Sequence, residues 1–199
     1  MPSCQKKLQQ IRENLPRLWL LTDARNDAVL EKAMGNLPKG SGIIFRHYHM
    51  QDAARYARFQ KLQVEAEGHG HIMILSGDVL NARQWNAGGI YGPPDRLIEG
   101  DDLLKLATVH DKDEMARADN AGVDAVFISP VFPTRSHVDT VHLGVSGLAR
   151  LAKSAPCPAI ALGGMTAQNY AKLPLGLVHG WAAIDGLSRG ITAEIKKGP

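Results

Sequence analysis

KLATVHDKDEMARADNAGVDAVFIS, residues 105–129, is the stretch that decides the fold. Its first five residues, Lys105–Val109, form a short apolar and β-branched run. A polar, helix-forming segment follows, Lys112–Asn120, with Gly122 as its C-terminal stop. A second apolar run, Asp124–Ser129, comes directly after it. A strand, a helix and a strand in so short a span leave only a crossover that returns the second strand parallel to the first.

The same unit repeats in both directions. Towards the N-terminus the runs are Gly88–Tyr91, His71–Leu75, Gly42–Arg46 and Leu18–Thr22; towards the C-terminus they are Pro158–Leu162 and Trp181–Ile184. Helix-like segments lie between them, among them Gln51–Glu67, Val145–Ser154 and Thr166–Leu173, the last opening on a threonine cap. Eight alternating runs predict a parallel sheet closed on itself: an α/β fold, a single (β/α)8 TIM barrel. An open doubly wound sheet is the rival architecture. The fourth run is the weakest, being glycine-rich (GGIYG) and followed by the broken segment PPDRLIEGDDLL. No composition break divides residues 1–199, so one domain is expected. Residues 1–17 form its N-terminal helical extension across the barrel bottom, 18–187 the barrel and 188–199 a C-terminal helix.

Bulk composition narrows the function classes. The 199 residues carry a net charge of +3, with 44% hydrophobic and 22% charged residues, an ordinary globular balance. The basic residues do not cluster, which argues against nucleic acid. No run reaches the ~18 apolar residues of a membrane helix. Cys4 and Cys157 show no disulfide or metal-ligand spacing, and a reducing, cytoplasmic location is the default expectation. A homo-oligomer is left open.

In a barrel of this kind the chemistry sits at the C-terminal ends of the strands and in the loops beyond them. Gly163–Gly164 ends the seventh run before Thr166. Glycines there would let backbone N–H groups approach an anion, or simply supply a tight turn. The long polar segment PVFPTRSHVDTVHLG after the sixth run has the character of a binding loop or lid, with a solvated connector as the alternative. Eight histidines do not make a metal site: His69 and His71 open the third run at the barrel bottom, and of His47 and His49 only His47 is well placed. His110, ending the fifth run beside Thr108, is the one histidine kept as a catalytic candidate.

At this point the chain resembles the thiamine phosphate synthase superfamily, which includes the TenI-type thiazole tautomerases. The resemblance spans roughly Leu18 to Leu187. It is most specific in DAVFISPVFPT from Asp124 and in HLGVSGLARLAKSAPCPAIALGGMT, ending near Met165, with GPPD at Gly92–Asp95 matching a Gly-x-x-Asp after the fourth strand. The resemblance implies a phosphorylated small-molecule substrate. It also implies a reaction joining hydroxymethylpyrimidine pyrophosphate to thiazole phosphate, with pyrophosphate leaving first and Mg²⁺ bound. By position, Arg46 would hold pyrophosphate and Asp95 would hold Mg²⁺. Thr134, Ser136 and Asp139 would contact substrate, with Thr108, and Gly163 and Gly164 would take the thiazole phosphate beside Asp185 and Gly186.

The chain also departs from that pattern. Where the family shows Gln-x-Arg-x-Lys after strand two, this chain has Ile44, Arg46 and Tyr48. An Asn-Asp pair after strand three becomes Ser76–Gly77, with Asp78 one place on; a lid lysine becomes His137; and a serine after strand eight becomes Asp185. A carboxylate ~5 Å from one phosphate charge costs roughly 3 kcal/mol at an effective dielectric near 20. Asp185 is therefore expected to make the chain a poor binder of thiazole phosphate unless a salt bridge from the nearby Arg189 turns the carboxylate aside. The tautomerases' strand-six histidine is Pro130 here. Three functions therefore remain open: a synthase with an altered site, another small-molecule enzyme such as a tautomerase, and a non-catalytic relative that lost the site.

Overall fold

The computed structural model describes residues 9–10, 12–135 and 141–188. Eight parallel strands close into a barrel in chain order, β1 pairing with both β2 and β8. They are β1 Leu18–Leu21, β2 Gly42–Phe45, β3 Ile72–Ser76, β4 Gly89–Gly92, β5 Leu104–Val109, β6 Ala125–Ile128, β7 Ala159–Ala161 and β8 Gly180–Ala183. Each agrees with its apolar run to within one residue at either end. The open-sheet alternative is excluded by the β1–β8 pairing.

Helices α1 Leu30–Gly35, α2 Asp52–Gly68, α3 Val79–Gln84, α4 Lys112–Asn120, α5 Gly144–Lys153 and α6 Ala167–Tyr170 supply the crossovers. Asp111 caps α4, accepting from the Glu114 N–H at 2.8 Å, and Thr166 caps α6, accepting from Asn169 at 3.1 Å. The segment after β4 forms only the 3₁₀ turn Pro94–Arg96, as its prolines and glycine suggest. The helix expected over Thr166–Leu173 is shorter, stopping at Tyr170 ahead of Pro174.

Period-2 alternation divides the strand residues between two layers. Trp19, Leu21, Ile44, Ile74, Leu104, Leu106, Phe127 and Ile160 pack together inside the barrel. Leu20, Ile43, Phe45, Met73, Leu75, Val126 and Ile128 pack outward against the helices. The Trp19 ring fits because Gly42 lacks a side chain: a Cβ there would lie 2.1 Å from the indole. Trp19 donates to the Pro16 carbonyl at 2.7 Å and meets Phe127 edge-on at 5.5 Å. Burying such side chains contributes about 1.5–3 kcal/mol each.

The N-terminal extension lies below this plug. His179 donates to the Leu15 carbonyl at 2.8 Å, the Trp181 N–H donates to Arg17, and Arg12 pairs with Asp124 at 2.7 Å. Residues 1–8 and 11 of the extension, and 189–199 of the expected C-terminal helix, lie outside the described residues.

Candidate active site

The same alternation decides which side chains reach the barrel mouth. One step on from the inward core positions come Arg46 after β2, Tyr91 in β4, Thr108 in β5, Ser129 after β6, Leu162 after β7 and Ile184 after β8. All of them line one cavity of about 400 Å³. Tyr48, His110, Thr134, Arg135, the turn Gly163–Thr166, Asp185 and Gly186 complete its wall. The structure thus gathers Arg46, Thr108, His110, Thr134, Gly163, Gly164, Asp185 and Gly186 around one space.

Charges of alternating sign run along the β8–β1–β2 side. Arg46 lies 3.7 Å from an Asp23 oxygen, Asp23 accepts from Arg25 at 2.8 Å, and Arg25 lies 3.6 Å from Asp185. Burial alone would raise the Asp23 pKa, but hydrogen bonds from Arg25 and the two guanidinium charges hold it below the usual carboxylate range. Asp185 therefore sits on the cavity wall with a counter-ion from the loop after β1. Arg189, the cation expected from the sequence, lies outside the described residues.

On the same side, after β2, Tyr48 replaces the lysine implied by the resemblance. Its hydroxyl bonds to Ser76, whose own hydroxyl donates to the Tyr91 carbonyl at 3.2 Å. The Tyr48 ring also carries the Arg46 guanidinium 5.5 Å from its centroid, a cation–π contact. Burial pushes the Tyr91 phenol up to about 12.

His110 has an acidic partner four residues further along the chain. Glu114, one turn into α4, accepts from the His110 N–H at 2.7 Å and pairs with its Nδ1 at 2.8 Å. With Nδ1 so engaged, the other ring nitrogen is the one available for proton transfer.

Among the described site candidates, Asp95 is the one that stands apart. Its carboxylate is two-thirds exposed, 3.5 Å from Arg117 of α4, and does not line the cavity. Asp78 is engaged as the cap of α3, bonding both the backbone and the side-chain nitrogen of Asn81. Among the described residues no three His, Cys, Asp or Glu side chains converge as metal ligands. Asp95, the carboxylate implied for Mg²⁺, is therefore not presented to the cavity among the described residues.

Gly163 and Gly164 adopt φ values of 91° and 62°, where other residues cost about 1–3 kcal/mol. A Cβ on Gly163 would come 2.7 Å from the Pro130 backbone, and one on Gly164 2.5 Å from the Pro133 carbonyl. These glycines thus serve the tight turn and let the Pro130–Pro133 segment lie across it. The Val131 and Phe132 N–H groups donate to Leu162 and Gly163, extending the β6–β7 pairing. No protein acceptor among the described residues pairs with the N–H groups of Gly164, Met165 and Thr166. The first part of the loop expected as a lid is therefore pinned, placing Thr134 and Arg135 on the cavity wall. Ser136, His137 and Asp139 lie outside the described residues.

Sequence reasoning missed Arg25, Glu114 and Tyr91, and placed Ser129 at the mouth only as the start of the loop after the sixth strand. Parity with the inward core residues would have singled out Tyr91 and Ser129, and the Asp-x-x-Glu capping pattern at Asp111–Glu114 would have found Glu114. For Arg25 no local signal exists. His47, favoured among the early histidines, is 1% exposed on the outward side of the sheet and does not line the cavity.

Fold and site together define a closed parallel α/β barrel with a mixed polar and apolar cavity at its strand C-termini. A family model described as thiamine monophosphate synthase matches residues 18–187. The chain belongs to that family. A thiamine-phosphate synthase from Vibrio parahaemolyticus is 26% identical over 185 residues, 87% of this chain and 91% of its own. One from Pyrococcus furiosus is 26% identical over 196 residues, 92% and 95% of the two chains. The solved thiamine phosphate pyrophosphorylase from Pyrococcus furiosus superposes with a TM-score of 0.74 at 22% identity, covering 93% of this chain and 98% of that one. The YdjI aldolase from Escherichia coli K12 superposes at 0.65 with 11% identity, covering 99% and 86%. Both likenesses speak for the fold alone, which hosts unrelated chemistries.

Proposed function

We propose that this chain is a thiamine phosphate synthase-like transferase, joining hydroxymethylpyrimidine pyrophosphate to thiazole phosphate. Family membership over residues 18–187 and relatives matched along nearly their whole length support this reading. The single observation that carries it is the cavity, which Arg46 and Arg135 line together with Thr134 and the Gly163–Gly164 turn. The carbon–oxygen bond to pyrophosphate breaks, the anion leaves with its electron pair, and the thiazole nitrogen lone pair closes the new carbon–nitrogen bond. Such a reaction needs charge stabilisation at the leaving group more than it needs a base. Arg46, steadied by Tyr48 and Asp23, is the group assigned to that duty. Because Asp95 does not line the cavity, no step is assigned to Mg²⁺.

The test is formation of thiamine phosphate from the two purified substrates. Wild-type protein is expected to form it, and Arg46→Ala should lower kcat/KM by about a hundredfold, the scale of losing one electrostatic stabiliser. Product formation at equal rates by both proteins would remove Arg46 from the reaction. No product from either, with thiazole turnover lost on His110→Ala, would favour the tautomerase reading that the His110–Glu114 pair permits.

A further inference from the structure

We infer that Thr22, His47 and Asp27 form a positioning relay that presents Arg46 to the phosphate groups of the ligand. The inference rests on the reading that Arg46 binds an anion. It concerns what fixes that arginine, whose side chain faces the cavity while its backbone belongs to the β1–β2 junction.

For a neutral imidazole facing the Asp27 carboxylate, the hydrogen bonds fall into one set of protons. The Arg46 N–H donates to Thr22 Oγ1 at 2.8 Å, so the threonine hydroxyl proton is free to point to His47 Nδ1, 2.7 Å away. Nδ1 then accepts, and the ring's one proton sits on Nε2, directed at Asp27 Oδ1 at 2.8 Å. Asp27 is held in turn by Arg58 of α2 at 2.8 Å. On its other side the Arg46 carbonyl accepts from Arg55 Nε at 3.0 Å. Both peptide groups of Arg46 are thereby tied to the helix layer.

The order hydroxyl, imidazole, carboxylate matches a nucleophile triad, but the surroundings rule that use out. Thr22 is 0% exposed and its oxygen already accepts from Arg46, so no substrate carbon can reach it. His47 stacks on Phe45 at 4.6 Å, parallel to within 6°, on the helix side of the sheet. It also holds a φ of 39°, a left-handed conformation that glycine or asparagine adopts more readily. An imidazole kept there, in a neutral tautomer whose both nitrogens are used, is directed at Thr22 and through it at Arg46.

Three variants separate positioning from plain structural support. Thr22→Val removes the hydroxyl at constant shape. His47→Gln reaches Asp27 but leaves Thr22 without its acceptor. His47→Asn suits the left-handed backbone and puts an amide oxygen near the place of Nδ1. Inorganic pyrophosphate is titrated calorimetrically into each and into Arg46→Ala, at a temperature where thermal melts show every variant folded. Thr22→Val and His47→Gln should weaken binding by about tenfold, the scale for a displaced binding group, while His47→Asn recovers most of it. With three relay variants, failure of one to fold leaves two to decide. Wild-type affinity in Thr22→Val and His47→Gln, together with loss in Arg46→Ala, would overturn the relay and leave the functional reading standing. Unchanged affinity in Arg46→Ala as well would overturn both.

Discussion

Asp185 shows how a single residue can shift the ligand preference of an inherited site. It occupies the cavity wall next to the Gly163–Thr166 turn, where a phosphate of the thiazole partner is proposed to lie. Uncompensated, that placement costs roughly 3 kcal/mol for one phosphate charge at ~5 Å. Arg25, 3.6 Å away, supplies opposing charge, so the pair rather than the carboxylate alone meets the ligand. The two residues should then respond in opposite senses. Asp185→Ser should tighten thiazole phosphate binding by about tenfold, and Arg25→Gln should weaken it by a similar factor, a fraction of the Coulomb estimate. Isothermal calorimetry checks both. A shift of the same sign in the two variants would show that they do not act through the ligand's charge.

At the scale of elements, one arginine ties the first crossover to the second. Arg58 of α2 reaches Asp27 in the turn before α1 and makes two contacts to Glu31 of α1, at 2.6 and 3.2 Å. The hydrogen bond from Arg58 takes the Glu31 carboxyl from its ordinary 4.5 down to about 2, overcoming the opposing effect of burial. A carboxyl whose pKa is lower in the folded chain contributes stability that is complete above 4.5 and lost as pH falls towards 2. His47 acts in the same direction at milder acidity. Burial lowers its pKa, so the unfolded chain takes up a proton first and stability begins to fall below 6.5. Urea midpoints measured across pH should fall in both windows, and Glu31→Gln should flatten only the lower one. A Glu31→Gln curve parallel to the wild type from pH 4.5 to 2 would mean that Arg58 adds nothing there.

Across the whole molecule, what could be read in the sequence was what depends on neighbours in the chain. The apolar runs located every strand because each must alternate between plug and helix layer, and Gly42 beneath Trp19 follows that rule. The glycine turn after β7 and the arginine after β2 were legible for the same reason. The pairing of Arg25 with Asp185 was not, since the two meet only when β8 closes on β1. Asp95 misled because its turn does follow β4, as its spacing suggests, yet the carboxylate faces Arg117 on the outer helix.

Trp19, Phe127 and the residues around them fill the barrel beneath the cavity, and that plug has a kinetic meaning. Two substrates and two products of the proposed reaction must share the opening at the strand ends, so the partner that seats deeper has to arrive before the other blocks its way. Initial-rate measurements should then give intersecting lines with a compulsory order. One product should compete with the first substrate alone, and the other with neither. A random order, with each substrate bound equally well in the absence of its partner, would mean that the pyrimidine and thiazole moieties sit side by side at the rim instead of one above the other.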